Sequence, residues 1–149
     1  MRVPQKTRYA LRAVFELAKH FGGGPIKVAQ IAKAQAIPAR FLEVILNQLK
    51  QGGHIDSKRG KMGGYFLVHA PKTVTVGDVM RFMQGPIRGV GCYLDDSSDT
   101  CSLLGECVFV PMWEKVRQAI SGVCDGTTFQ DLVEQEQQGR QRRGPSYSI

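Results

Sequence analysis

The sequence predicts a mostly α-helical fold that carries one small β-hairpin. Three observations support this prediction. Apolar residues recur every three or four positions through most of residues 7–51, which is the spacing of amphipathic helices. Residues 54–71 contain two short strand-like runs around a basic, glycine-rich tip, as a hairpin does. Residues 109–122 then repeat the helical spacing in a longer and more apolar segment.

The first third of the chain predicts three helices. They cover residues 7–21, 28–35 and about 39–51, and the segment Ala36-Ile37-Pro38 makes a tight break between the last two. A pair of short helices around a tight turn is typical of a helix–turn–helix, although any small three-helix core has a similar pattern. The outward face of the third helix carries Arg40, Glu43, Asn47 and Lys50.

The predicted hairpin follows the third helix directly. Ile55 opens one strand, residues 65–68 form the other, and the tip at residues 58–64 carries three cations and three glycines. Glycines permit close approach to a phosphate backbone, and the cations add the attraction that dominates affinity for DNA. A basic hairpin in this place is the wing of a winged helix–turn–helix, which disfavours the plain three-helix core.

Three further helical patterns follow the wing. They cover residues 74–83, residues 109–122 with a start around Pro111, and a last helix from Thr128, which Asp131 helps to cap. The 109–122 helix is so apolar that it needs a partner. We expect it to pack on a second copy of the chain as well as on the chain's own first helix.

These elements divide the chain into four predicted parts. Residues 1–84 form the winged helix–turn–helix DNA-binding domain, and residues 85–108 form a cysteine loop. Residues 109–138 form the dimerisation helix and the C-terminal helix. The basic tail at residues 139–149, which contains Gly and Pro, is predicted to be disordered.

Charge is unevenly distributed along the chain. The net charge is +7, and residues 1–72 hold 13 Lys and Arg against 3 Asp and Glu, whereas residues 73–149 hold 7 against 10. The basic part predicts a surface for a polyanion, and scattered solvated lysines are the alternative. There is no apolar run of about 18 residues and no apolar signal-peptide core. We therefore expect a cytoplasmic protein that does not bind membranes.

Three of the four cysteines lie in one polar, glycine-containing segment. Cys92, Cys101 and Cys107 are separated by eight and by five residues. Cytoplasmic proteins rarely keep disulfides, so the segment indicates metal or redox chemistry. Zinc is disfavoured, because zinc sites use a closely spaced C-x₂₋₄-C pair and none is present. Cys124 is interpreted as a small buried apolar residue.

Four segments resemble the IscR/NsrR/CymR-type family of winged helix–turn–helix transcriptional regulators. They are the start MRVPQKTRYALRA, the turn IPARFLEVILNQLKQGG, the wing RGKMGGYFLVHAPKTVTVGDVM and the cysteine loop. The resemblance covers about residues 1–135 and implies a homodimeric bacterial transcription factor. Its most specific residues, in the family's order, are Arg59-Gly60, Gly63-Gly64-Tyr65 and Val76-Gly77-Asp78-Val79.

The resemblance also implies a cofactor. Cluster-bearing members hold an iron–sulfur cluster with three cysteines of this loop, which implies Cys92, Cys101 and Cys107 as ligands of a [2Fe–2S] or [4Fe–4S] cluster. Thiolates are the soft ligands that such clusters require. The first gap is longer than the five residues of related proteins, and Val110 stands where the cluster regulator has a histidine. The fourth ligand therefore stays open. A cluster-free regulator controlled by thiol oxidation or by a partner protein is the alternative.

The outward face of the third helix and the wing predict the contacts with DNA. Glu43 is placed to accept a hydrogen bond from cytosine N4 and Arg40 to reach guanine or phosphate, while Arg59 and Lys61 contact the backbone or the minor groove. We expect a repressor or activator on a pseudo-palindromic operator in double-stranded DNA. An enzyme is disfavoured because the chain has no C-x-x-C pair, Ser-His-Asp set or phosphate loop. The predicted DNA-binding residues are Lys6, Val28, Pro38, Ala39, Arg40, Glu43, Asn47, Arg59, Lys61, Gly63 and Tyr65.

Overall fold

A computed structural model describes residues 2–88, 101–103 and 105–144. Helices dominate these ranges, and one antiparallel pair of strands forms a hairpin, which confirms the predicted fold class. No helix among the described residues is long and apolar enough to cross a membrane. In chain order the elements are α1 (Gln5–Lys19), α2 (Val28–Gln35), α3 (Ala39–Gln51), β1 (Ile55–Lys58), β2 (Gly64–Leu67), a 3-10 turn (Pro71–Thr73), α4 (Val76–Gln84), α5 (Val110–Gly126) and α6 (Phe129–Arg143).

One apolar core joins α1–α4, the hairpin and α6. Leu17 of α1, Ile31 of α2 and Phe129 of α6 are fully buried in it, and burying a side chain of this size contributes about 1.5–3 kcal/mol. The helical periodicity predicts these inward positions correctly. The buried face of α3 consists of Leu42, Ile45, Leu46 and Leu49.

The turn between α2 and α3 rests on a left-handed residue that is not glycine. Ala36 ends α2 with φ 49° and ψ 50°, and its N–H group donates to the carbonyl of Ala32. The N–H group of Ile37 donates to the same carbonyl at 3.0 Å, and the Ile37 side chain is buried. Pro38 then precedes α3, where its fixed φ suits the start of a helix. This turn sets the direction of α3.

The hairpin packs on the segment before α2. The N–H groups of Ile26 and Tyr65 each donate to the carbonyl of the other residue at 2.8 Å. Gly64 has φ 151°, and a Cβ atom there would overlap the backbone of Ile26. Glycine at this position is therefore required by close backbone packing.

The N-terminus of α6 is capped as the sequence predicts. The hydroxyl of Thr128 accepts from the N–H group of Asp131 at 3.1 Å, and the Asp131 carboxylate accepts from the N–H group of Thr128 at 2.8 Å. The same reciprocal cap, with Thr75 and Asp78, begins α4 and is not part of the sequence prediction. Each such cap satisfies N–H groups that a helix start leaves unpaired.

Both C-terminal helices are longer than predicted. α5 continues through Gly122 to Gly126, and α6 continues to Arg143. The prediction of disorder is therefore wrong for residues 139–143. Glu, Gln and Arg are good helix formers, and Arg140 pairs with Glu136 one turn earlier at 3.1 Å. The arginines of the last turn also suit the negative end of the helix dipole.

The end of α5 is fixed to α4. The guanidinium of Arg81 contacts the Asp125 carboxylate at 2.7 Å and the Asp78 carboxylate at 3.3 Å. The N–H group of Val76 donates to the carbonyl of Thr127 at 2.9 Å. A Cβ atom on Gly77 would overlap the Asp125 side chain, so α4 and the end of α5 pack closely.

Candidate nucleic-acid interface and cysteine loop

The exposed face of α3 lies opposite its buried leucines and isoleucine. Arg40, Val44, Asn47 and Gln51 recur at steps of three and four residues and are all exposed, so they share the centre of this face. Pro38 and Ala39, at the start of α3, are also exposed. The Arg40 guanidinium lies over the ring of Phe41, 4.9 Å from its centroid. The helix therefore presents one face to solvent along its whole length, and its first residues are exposed as well.

Glu43 differs from the other two acids of residues 1–72. Glu16 is buried, and Asp56 lies 3.6 Å from the Lys50 ammonium. Glu43 is exposed and forms no ion pair within the described residues. An unpaired carboxylate on such a basic surface repels phosphates, which fits a residue that reads bases.

The tip of the wing presents two of the predicted cations. Arg59 and Lys61 are both exposed. Gly63 is buried, its N–H group donates to the carbonyl of Gly60 at 3.0 Å, and a Cβ atom on Gly63 would overlap the carbonyl of Lys58. The structure thus gives Gly63 a role in shaping the tip, and a DNA contact through it stays a prediction.

Side chains tie the wing to α3. The Lys50 ammonium donates to the Ser57 hydroxyl of β1 at 2.6 Å, and the Tyr65 hydroxyl of β2 donates to the Asn47 amide oxygen at 3.5 Å. Asn47 and Tyr65, both predicted site residues, are therefore brought together. The link through Lys50 was not predicted, because a lysine on an exposed helix face gives no sign of its partner.

The two remaining predicted residues lie on α1 and α2. Lys6 is exposed near the start of α1, where it lines a shallow groove with Tyr9 of α1 and with Phe41 and Val44 of α3. Val28 is half-buried at the start of α2. Lys6 is thus placed beside α3, and Val28 is the less accessible of the two.

A buried carboxylate connects α1 with α2. Glu16 is only 5% exposed, and it accepts from the Gln35 amide at 2.7 Å and lies 2.9 Å from the Lys19 ammonium and 3.3 Å from the His20 ring. Burial alone raises the pKa of the Glu16 carboxyl, but the hydrogen bonds from Gln35 and Lys19 outweigh burial and lower this pKa below its ordinary value. These partners occupy Glu16 in a structural role.

The structure describes two of the three predicted cluster ligands. Cys101 is exposed, Cys107 is half-buried, and the Cys107 carbonyl accepts from the N–H group of Val110 in the first turn of α5. Cys92 lies outside the described residues. The described cysteines form no disulfide, and no three His, Cys, Asp or Glu side chains within the described ranges cluster closely enough to hold a metal ion.

Cys124 lies near the other end of α5. The residue is half-buried, and burial, followed by the charge of Asp125, raises the pKa of its thiol. A raised pKa reduces the fraction of thiolate, which is the form that binds metals. Cys124 is thus less buried than the sequence predicts, and its packing role stays a prediction.

α5 has no buried residue in the single chain. Its exposed apolar side chains recur along one side of the helix, as they do in helices that pack on a partner. Without a partner, α5 would leave this apolar stripe exposed to water. The stripe consists of Met112, Val116 and Val123 of α5 and of Phe109, the residue just before the helix.

Comparison with known proteins identifies the family. Residues 3–135 match the model of the Rrf2 family, described as "Iron-dependent Transcriptional regulator". The chain is 34% identical over 133 residues to the transcriptional regulator CymR of Bacillus subtilis, covering 89% of this chain and 90% of that protein. Such relatives are named as transcriptional regulators, which confirms the expectation that the protein is not an enzyme.

Solved structures agree with this match. The structure of T. potens IscR superimposes with a TM-score of 0.77 at 30% identity, covering 94% of this chain and 91% of that one. CymR (YrzC), described as the global cysteine regulator of B. subtilis, superimposes with a TM-score of 0.75 at 31% identity, covering 90% of this chain and 97% of that one. The chain therefore belongs to the Rrf2 family of transcriptional regulators, with the winged helix fold of IscR and CymR.

Proposed function

We propose that the protein is a homodimeric regulator of transcription whose binding to operator DNA is controlled by an iron–sulfur cluster. The proposal rests chiefly on one observation: a segment with three cysteines immediately precedes α5, the helix with no buried residue of its own. The similarity to IscR and the iron-dependent description of the family support it. It places the protein in the bacterial cytoplasm, where its DNA target is.

DNA binding is assigned to the exposed face of α3 and to the wing. α3 is the second helix of the helix–turn–helix, and in such domains this helix lies in the major groove with its first residues at the base edges. Arg40 and Glu43 stand there, while Arg59 and Lys61 at the tip of the wing are free to approach phosphates or the minor groove. The links from Lys50 to Ser57 and from Tyr65 to Asn47 hold these two surfaces in one orientation.

The dimer is assigned to α5. Burying the exposed stripe of α5 against a second copy removes Phe109, Met112, Val116 and Val123 from water together. A symmetric pair presents two copies of α3, so we expect a pseudo-palindromic operator. The contacts of Arg81 with Asp125 and of Val76 with Thr127 connect α5 to α4, and hence connect the dimer interface to the DNA-binding part.

The chemistry of the cysteine segment fits a cluster. Thiols are soft donors, and Cys101 and Cys107 are both free of disulfides and at least partly accessible. Together with Cys92 they would hold the iron through three thiolates, and Val110 has no atom that could supply a fourth bond. A bound cluster would supply a centre that responds to iron supply, oxidation or nitric oxide. Because Cys107 lies just before α5, loss of the cluster would change the surroundings of the dimer helix first.

Replacement of each cysteine by alanine tests this assignment. Protein prepared without oxygen would be analysed for iron and sulfide per chain and for visible absorbance. Cys92→Ala, Cys101→Ala and Cys107→Ala are each expected to lose the cluster, while Cys124→Ala, the matched control, retains it. If Cys124→Ala loses iron as completely as Cys101→Ala, then Cys124 is a ligand. If the unmodified protein binds no iron, the cluster proposal fails.

A second function is favoured by the similarity to CymR, the global cysteine regulator of B. subtilis. In this alternative the loop thiols respond to oxidation without a cluster, or a partner protein controls the regulator. A colourless protein whose operator binding changes reversibly with thiol oxidants would support the first form. Operator binding that changes only when a partner protein is added would support the second.

A further inference from the structure

The exposed face of α3 carries two apolar side chains beside its polar ones. Val44 is 59% exposed and Phe41 is 49% exposed, although α3 already buries four other apolar residues. Val44 lies four residues after Arg40 and three before Asn47, so both polar side chains flank it on the same face. The core of the chain therefore does not explain why position 44 is a valine.

The groove beside Val44 is lined mainly by apolar and aromatic side chains, and a lysine also lines it. Phe41 and Val44 line the shallow groove between α3 and α1 that Gln5 and Lys6 also line. The guanidinium carbon of Arg40 lies over the Phe41 ring, 4.9 Å from its centroid, so a cation also adjoins the apolar patch. An apolar patch edged by cations is poorly suited to an apolar protein surface. It is well suited to a polyanion that carries isolated apolar groups.

Duplex DNA has one such group on the floor of its major groove, the C5-methyl group of thymine. We infer that Val44, packed beside Phe41, selects thymine by direct contact with this methyl group. The inference rests on the proposed function, because it requires α3 to enter the major groove. It adds the base that position 44 reads and the chemical group through which it reads it.

The assignment is separate from that of Glu43. Glu43 points to the flank of the exposed face and has only acceptor atoms, so it suits the amino group of cytosine. Val44 has no polar atom and gains only by removing apolar surface from water. The two residues therefore make different predictions about the operator, and one can fail without the other.

The test uses deoxyuridine, which differs from thymidine only by lacking the C5-methyl group on its base. An operator is first selected from random duplex DNA with the unmodified protein. Each thymine is then replaced singly by deoxyuridine, and affinities are measured by fluorescence anisotropy. At one or two thymines of each half-site we expect a loss of about fourfold, because the deoxyuridine duplex has no methyl group to bury against Val44. Val44→Ala is expected to bind the thymine and deoxyuridine duplexes with nearly equal affinity.

Val68→Ala is the matched control, because Val68 is also an exposed valine but follows β2 and is not part of α3. It should retain the full loss at the same thymines. If deoxyuridine changes the affinity of the unmodified protein at no position, the inference is overturned while DNA binding stands. If Val44→Ala loses as much as the unmodified protein at each thymine, another residue reads the methyl group. If no duplex is selected at all, the proposed function fails and the inference fails with it.

Discussion

Replacing Glu43 with alanine is expected to reduce discrimination between operators while strengthening binding to random DNA. Glu43 is exposed and forms no ion pair among the described residues, so its removal leaves no cavity and no unpaired cation. A carboxylate about 7 Å from a phosphate in a water-like dielectric is repelled by about 0.6 kcal/mol, which predicts about a threefold gain for random DNA.

The effect on the selected operator has the opposite sign. One specific contact with a base edge discriminates by about 1–3 kcal/mol, so the operator should lose about fivefold or more in affinity. The ratio of operator affinity to random affinity therefore falls by about fifteenfold or more. Anisotropy titrations on the operator, on operators with single base changes and on random duplexes measure this ratio.

A control separates base reading from net charge. Glu134→Ala removes an exposed carboxylate from α6, far along the chain from α3, and should change the ratio little. A selection from random DNA repeated with Glu43→Ala should return a motif that is relaxed at one position of each half-site. The same motif for both proteins, with operator and random affinities rising together, would show that Glu43 reads no base.

Three further perturbations test other parts of the account. Arg59→Ala should weaken binding to all duplexes by about 1–2 kcal/mol and lower the salt slope by about one unit, because a wing cation neutralises one phosphate; a loss confined to the operator would contradict this. Glu16→Gln should make the stability of the folded protein fall less steeply as the pH is lowered. The Glu16 pKa is lowered on folding, so its contribution is present above the ordinary value of 4.5 and disappears as the pH falls through the lowered value. Thermal unfolding from about pH 7 to about pH 3 measures the slope, and parallel curves for the two proteins would refute it. Val116→Glu should convert dimer to monomer in sedimentation experiments, whereas Gln118→Glu, off the apolar stripe, should not; a dimer that survives Val116→Glu would exclude this interface.

Much of the fold could be predicted because apolar residues that become buried recur at regular intervals along the sequence. The inward positions of α3, the wing strands and the cap of α6 follow from the spacing of apolar residues and from the Thr128–Asp131 pair. Ala36 could not be predicted in its left-handed conformation, since alanine gives no sign of a positive φ and the tight turn imposes it. The extension of α6 was missed because Gly139 suggests a break, while its neighbours favour a helix.

The candidate site was predicted less completely. Exposed cations and the acid at position 43 are evident from helix periodicity. The links that Lys50 and Tyr65 make between α3 and the wing depend on the relative placement of two elements, which spacing along the chain does not contain. Glycine at position 63 suggested access to phosphates, but its surroundings show that a side chain there would not fit. Val44 was overlooked because valine normally indicates burial.

The most direct test of cluster control is the operator affinity of one preparation measured with and without its cluster. Protein purified without oxygen would be titrated against the selected operator, then again after the iron is removed with a chelator, with Cys107→Ala measured in parallel. Coupling between two sites of a protein typically amounts to about fivefold to 150-fold. We predict a change in affinity of about tenfold or more on removal of the cluster, with Cys107→Ala matching the cluster-free protein. Equal affinities for all three preparations would contradict control by a cluster.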